Sequence, residues 1–115
     1  MNTAQTTRPF WRQGDIFFVK LDVAPTPLEG EGANPVKSGI IARGEETGHM
    51  HRVSTSSLAA GAALVLSGGS MYLRASEAGA TIVHDEHGPI QLPMGIYAVL
   101  NQREFDGLSW RTVLD

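Results

Sequence analysis

Ala62-Ala63-Leu64-Val65-Leu66-Ser67-Gly68-Gly69-Ser70-Met71-Tyr72-Leu73-Arg74-Ala75 is the stretch that sets the fold class. Two apolar runs flank Ser-Gly-Gly-Ser, and glycine supplies the positive φ that tight hairpin turns demand. The reading is a β-hairpin over Ala62–Leu66 and Met71–Ala75. Moving outward, Gly79 marks a turn before a strand over Ala80–His84. Pro89–Leu92 is a short strand, Pro93-Met94-Gly95 has turn chemistry, and Ile96–Leu100 is a strand rich in β-formers.

Toward the N-terminus, Gly39–Arg43 and His49–Ser54 read as strands around the turn Gly44–Gly48. Trp11–Gly14 leads into Asp15–Leu21, whose run Ile16-Phe17-Phe18-Val19 is expected to be buried on both faces. Asp22–Ser38 holds Pro25, Pro27, Gly30, Gly32 and Pro35, too many breakers for a helix or a central strand, and is expected to be one long loop. Thr55–Gly61 is the helix candidate, one turn at most. Ser109–Leu114 is expected to close the chain. Strands recurring about every 8–12 residues predict an all-β domain: a small barrel or jelly roll, with a sandwich as the alternative.

The chain has 115 residues, an apolar fraction of 42% and a charged fraction of 18%. These values fit one globular domain over residues 9–115, with residues 1–8 as a disordered polar tail. Formal net charge is −3, and the nine basic residues are scattered from Arg8 to Arg111. Without a basic patch, nucleic acid is not an expected partner. The run Leu58–Leu66 is too short to span a bilayer, and no apolar leader is visible, so a soluble cytoplasmic protein is expected. Cysteine is absent, which removes disulfides, thiolate catalysis and Cys-based metal sites.

All four histidines fall in two short segments, Gly48-His49-Met50-His51-Arg52 and Val83-His84-Asp85-Glu86-His87-Gly88. On a strand, residues two apart face the same way, so His49 and His51 present two imidazoles side by side. The same reasoning pairs His84 with Glu86; if the chain turns at Gly88-Pro89, His84 and His87 converge instead. Imidazole and carboxylate together suit a divalent ion such as Zn, Fe, Mn or Ni. The candidate ligands are His49, His51, His84, Glu86 and His87. A metal-free alternative has these histidines working with Glu45, Glu46, Asp85 or Glu86 in general acid–base chemistry. Tyr97 is expected inside with a partner for its hydroxyl. Trp11, Phe105 and Trp110 are expected as packing, Met50 and Met94 as gap-fillers, and Arg103 and Glu104 as surface ion-pairing groups.

Gly44-Glu45-Glu46-Thr47-Gly48-His49-Met50-His51 resembles the first cupin motif, and Gly88–Tyr97 is similar to the second, with its Pro-x-Gly turn before a strand. The chain also resembles small bacterial proteins with a Gly-His-x-His segment, a His-x-Glu-His segment and a closing Gln-Arg-Glu. The cupin resemblance implies a double-stranded β-helix holding one metal on His49 and His51. No glutamate lies within Val53–Leu58, and Ala98 stands where the second motif carries histidine. The resemblance therefore implies His84 with Glu86 or His87 as the remaining ligands. It points to a divalent-metal-binding domain that, if catalytic, acts on a small polar molecule. The alternative is a non-catalytic binding or assembly module, homo-oligomeric or an accessory subunit.

Overall fold

The computed structural model describes residues 8–43 and 49–105. Those residues form β1 (Phe10–Gln13), β2 (Ile16–Leu21), β3 (Ala33–Pro35), β4 (Ile40–Arg43), β5 (Met50–Val53), α1 (Thr55–Ala59), β6 (Ala63–Ser67), β7 (Ser70–Ala75), β8 (Ala80–Val83), β9 (Ile90–Leu92) and β10 (Gly95–Asn101). A six-stranded sheet runs β1-β2-β10-β7-β6-β3 and a four-stranded sheet runs β4-β5-β8-β9. Every pairing is antiparallel. The expected all-β class is what forms, as two packed sheets that do not close into a barrel.

Alternation along the strands decides which residues face inward. Ile16 and Phe18 of β2, Leu64 of β6, Leu73 and Ala75 of β7, and Tyr97 and Val99 of β10 project from the larger sheet. They meet Ile41, Val53, Ala80, Ile82 and Leu92 from the smaller one. The larger sheet is also covered on its outer face. Val19, Tyr72 and Ala98 are buried there beneath Leu28 and Phe105, and Phe105 stacks on Phe17 at 4.1 Å. Thus β2 is buried on both faces, as its unbroken apolar run predicts.

Tyr97 is fully buried, and its hydroxyl donates to the Pro93 carbonyl. Burial raises its pKa, so the phenol stays protonated as that bond requires. Trp11 meets the Tyr97 ring edge-on at 5.5 Å. Ser54 caps α1 by accepting the Ser57 amide at 3.1 Å, and Ser57 Oγ accepts the Thr81 amide at 2.9 Å. The helix is thereby tied to β8.

Several expectations need correction. Within Asp22–Ser38, Ala33–Pro35 pairs with β6 as an edge strand, where proline's missing N–H costs no ladder bond. Trp11–Gln13 is a strand in its own right rather than a lead-in. Met94 fills no gap, being 57% exposed. Glu104 acts locally: its carboxylate accepts the Asn101 amide at 2.9 Å while Asn101 Oδ1 accepts the Glu104 amide at 2.8 Å, a reciprocal cap on the helical turn at 102–105. Trp110 and the closing segment Ser109–Leu114 lie outside the described residues, as does nearly all of the N-terminal tail. Among the described residues no helix is long and apolar enough to cross a membrane.

Leu73 has no exposed surface and sits where both sheets meet. Leu73→Ala is expected to destabilise the domain by about 2–5 kcal/mol in urea unfolding. Met94→Ala should change stability by no more than about 0.5 kcal/mol. Equal effects for the two variants would contradict this core assignment.

Candidate metal centre

The site is built on the hairpin turn between β1 and β2. Gln13 pairs with Ile16, leaving Gly14-Asp15 as a two-residue turn with Gly14 at φ 61°. Glycine first is the requirement of one of the two favoured hairpin turns. A second constraint acts at the same position. A Cβ on Gly14 would lie 2.8 Å from His87 Nε2 and 3.2 Å from His51 Cε1. The absence of a side chain is what lets this turn sit against two imidazoles.

Those imidazoles arrive from the smaller sheet. His51 lies on β5 and is 5% exposed, with its ring 4.2 Å from that of His84. His84 follows the end of β8, and the chain turns there, so His87 comes round to 4.6 Å from His84 and 6.2 Å from His51. His49, just before β5, has its ring 5.9 Å from His84. All four histidines therefore gather at one end of the sandwich. Of the two geometries open to the second segment, the turn is the one adopted, and it brings His84 and His87 together.

The hydrogen bonds fix individual protons. Gln13, 2% exposed, donates from Nε2 to the carbonyls of Ile82 at 3.0 Å and Gly88 at 2.9 Å. Its Oε1 is therefore an acceptor, and it stands 3.0 Å from His51 Nδ1. His51 must carry its proton on Nδ1, which leaves a lone pair on Nε2. That nitrogen faces Asp15 Oδ1 at 3.7 Å. His84 is arranged oppositely: its Nδ1 accepts the amides of Glu86 at 3.0 Å and His87 at 3.1 Å, so neutral His84 carries its proton on Nε2. His49 Nδ1 lies 3.0 Å from Glu86 Oε1, an ion-pair distance. Asp85 Oδ2 accepts the Met50 amide at 3.4 Å, tying the turn to the start of β5.

Each residue predicted from the sequence thus has a place. His49, His51 and His87 are turned into the cluster, His84 closes the turn that delivers His87, and Glu86 backs His49. Glu45 and Glu46 lie outside the described residues. Gln13, Gly14 and Asp15 escape the sequence reading, although a Gly-Asp step between two apolar strands is itself a hairpin signal. Among the described residues no three His, Asp or Glu side chains already stand as a metal-holding group.

Burial lowers the His51 pKa below its usual 6.5; His84 and His87 push the same way, and Asp15 opposes them. The unfolded chain therefore holds this proton more tightly than the folded one. Stability is unaffected by this group above pH 6.5 and falls as pH drops below 6.5 toward the folded pKa. The His51 ring resonances should titrate below 6.5 and report the Nδ1–H tautomer at neutral pH. Gln13→Leu strands two carbonyls and the His51 Nδ1–H, and urea unfolding should show a loss of at least about 2 kcal/mol. A neutral effect would mean that the amide bridge is dispensable.

No curated protein and no solved structure matches the chain. One family does: the one described as Domain of unknown function (DUF8820) matches residues 12–102, a span that includes Gln13, Gly14, Asp15 and all four histidines. Because that match covers well over half of the sequence, this chain belongs to the DUF8820 family.

Proposed function

We propose that this domain binds one divalent transition-metal ion at the histidine cluster, through His49, His51 and His87 with Asp15 as the carboxylate. The observation that carries the reading is the state of the two imidazoles in the Gly-His-x-His segment. His51 turns Nδ1 onto Oε1 of Gln13 in a hydrogen bond, and His49 has Nδ1 within 3.0 Å of the Glu86 carboxylate. Metal-ligating histidines have this arrangement, in which an outer oxygen holds one ring nitrogen so that the other presents its lone pair.

The spacing is compatible with a shared ion. Metal–nitrogen bonds of about 2.0–2.1 Å around a tetrahedral centre put two ring centroids about 5 Å apart. Among the proposed ligands the His51 and His87 centroids are 6.2 Å apart, and His49 stands on the far side of His84 with its ring 5.9 Å away, so side-chain movement is needed to converge the donors. The donor set contains nitrogen and carboxylate oxygen and no sulfur, which suits zinc, iron, manganese or nickel. His84, with Nδ1 engaged by two amides, orients the turn and offers Nε2–H as a donor beside the ion. Glu86 acts through His49. A metal held in this way supplies Lewis acidity toward a small ligand on an open coordination position. The domain is read as cupin-like in this functional sense, an imidazole-rich metal site at one end of a two-sheet β fold.

Calorimetric titration of metal-free protein without a histidine tag is expected to show one equivalent of zinc or nickel bound. His51→Ala and His87→Ala should each weaken binding by at least about 100-fold, and Glu86→Gln by about 10-fold or more, the usual scale for an outer-shell partner. Binding that survives His51→Ala with His87→Ala, or no saturable binding of any of the four metals, would sink the proposal.

A further inference from the structure

The turn that carries Asp15 contains a peptide that strand pairing does not restrain. Gly14 is at φ 61°, and among the described residues only glycines have positive φ, so Asp15 does not share that conformation. Of the two favoured two-residue hairpin turns, type II′ has positive φ at its first position alone, and type I′ has it at both. The two forms differ by rotation of the peptide between Gly14 and Asp15. Ladder bonds are made by the flanking pair, Gln13 and Ile16, and leave that peptide free to rotate. The rotated form would need positive φ at Asp15, which aspartate tolerates better than most residues. It would also re-aim the carboxylate.

Arg12 opposes this rotation. Its Nε donates to the Gly14 carbonyl, the oxygen of that same peptide, at 2.7 Å. The guanidinium is itself held over the Phe17 ring, its carbon 5.2 Å from the ring centre. Phe17 is the register partner of Arg12 and stacks on Phe105 with the ring planes 13° apart. Phe105 ends the helical turn at 102–105 that Asn101 and Glu104 cap. Arg12 and Gln13 are consecutive on β1, so they leave the sheet on opposite faces. Gln13 holds the His51 ring from inside, and Arg12 holds the turn from outside. In the turn so held, Gly14 packs against His87 and His51, and Asp15 Oδ1 stands 3.7 Å from His51 Nε2.

We infer that Arg12 is a positioning residue of the metal centre: by fixing the Gly14–Asp15 peptide from the outer face, it aims the Asp15 carboxylate at His51. The inference rests on the metal-centre reading for the ion alone, since the lock on the turn acts without one.

The charge and the hydrogen bond of Arg12 have opposite effects on a bound cation, which makes the sign of the change informative. Losing a nearby positive charge tightens binding of a divalent ion, whereas losing the lock weakens it. Arg12→Met removes both and keeps a chain to cover Phe17. In calorimetric titration of the full chain without a histidine tag, Arg12→Met is expected to bind zinc about 10-fold more weakly, as for an outer-shell partner. In an Asp15→Asn background the same change should cost less than about 2-fold, because the group being aimed is already altered. In metal-free protein, NMR should show NOEs from Gly14 Hα to His51 Hε1 and His87 Hδ2. Arg12→Met should lose them while keeping those among Leu64, Leu73 and Ile82. Should that variant misfold, Arg12→Lys, which keeps the charge and lacks Nε–H, gives the same readouts. Zinc affinity that is unchanged or raised, or lost equally in both Asp15 backgrounds, overturns this inference and leaves the metal reading standing. Persistence of the Gly14 NOEs in the variant, or their absence from the parent, also overturns it. NOEs that depend on Arg12 in a chain that binds no zinc keep the lock and overturn the metal reading alone.

Discussion

The side-chain amide of Gln13 is the constraint on which this end of the molecule depends. It is buried at the tip of β1, in the larger sheet, yet every partner it has belongs to the smaller sheet or its loops: Ile82, Gly88 and His51. A buried amide left unpaired costs about 1–3 kcal/mol per group, so the two sheets are held in one relative register wherever this amide is satisfied. The same three bonds choose the tautomer of His51. One residue thus sets both the closure of the sandwich edge and the chemical state of its most buried histidine.

Grouping four imidazoles has an electrostatic consequence. Two unit charges about 5 Å apart repel by roughly 3 kcal/mol at the effective dielectric near a protein surface. The lowered pKa of His51 has burial as its first cause and repulsion from His84 as its second. Imidazoles concentrated in one place, with the carboxylates of Asp15 and Glu86 beside them, form a site of nitrogen and oxygen donors. A cation satisfies such a site with less repulsion than several separate protons, and this links the packing of the turn to its proposed use.

Much of the fold was legible because alternation and turn chemistry agree along the chain. The hairpin at Ser67-Gly68-Gly69-Ser70 and the strands β7, β8 and β10 lie within a residue or so of their expected limits. The doubly buried β2 was equally readable, since a continuous apolar run has no polar face to expose. β3 was not readable, because three residues ending in proline carry no periodicity and exist only by pairing with β6. At the site, clustering in sequence marked the five His and Glu candidates. Gln13 and Asp15 lie about 35 residues or more from every histidine, and only the antiparallel closure brings them together. Their types are unremarkable in a strand end and a turn; what distinguishes them is whom they meet.

The choice between Glu86 and His87 likewise rested on a local conformation that composition could not decide. Had β8 continued through Glu86, strand alternation would have aimed His84 and Glu86 together and left His87 on the other face. The strand instead ends at Val83, and His84 Nδ1 collects the next amides, so the turn is stabilised by the very side chain that precedes it. His84 therefore gives up its lone pair to shape the backbone, and that geometry delivers His87 to Gly14 and Glu86 to His49. The histidine nearest the centre of the cluster is the one whose Nδ1 is committed to the backbone of the turn. A count of histidines overstates the ligands available; the hydrogen bonds on each ring determine which of them can serve.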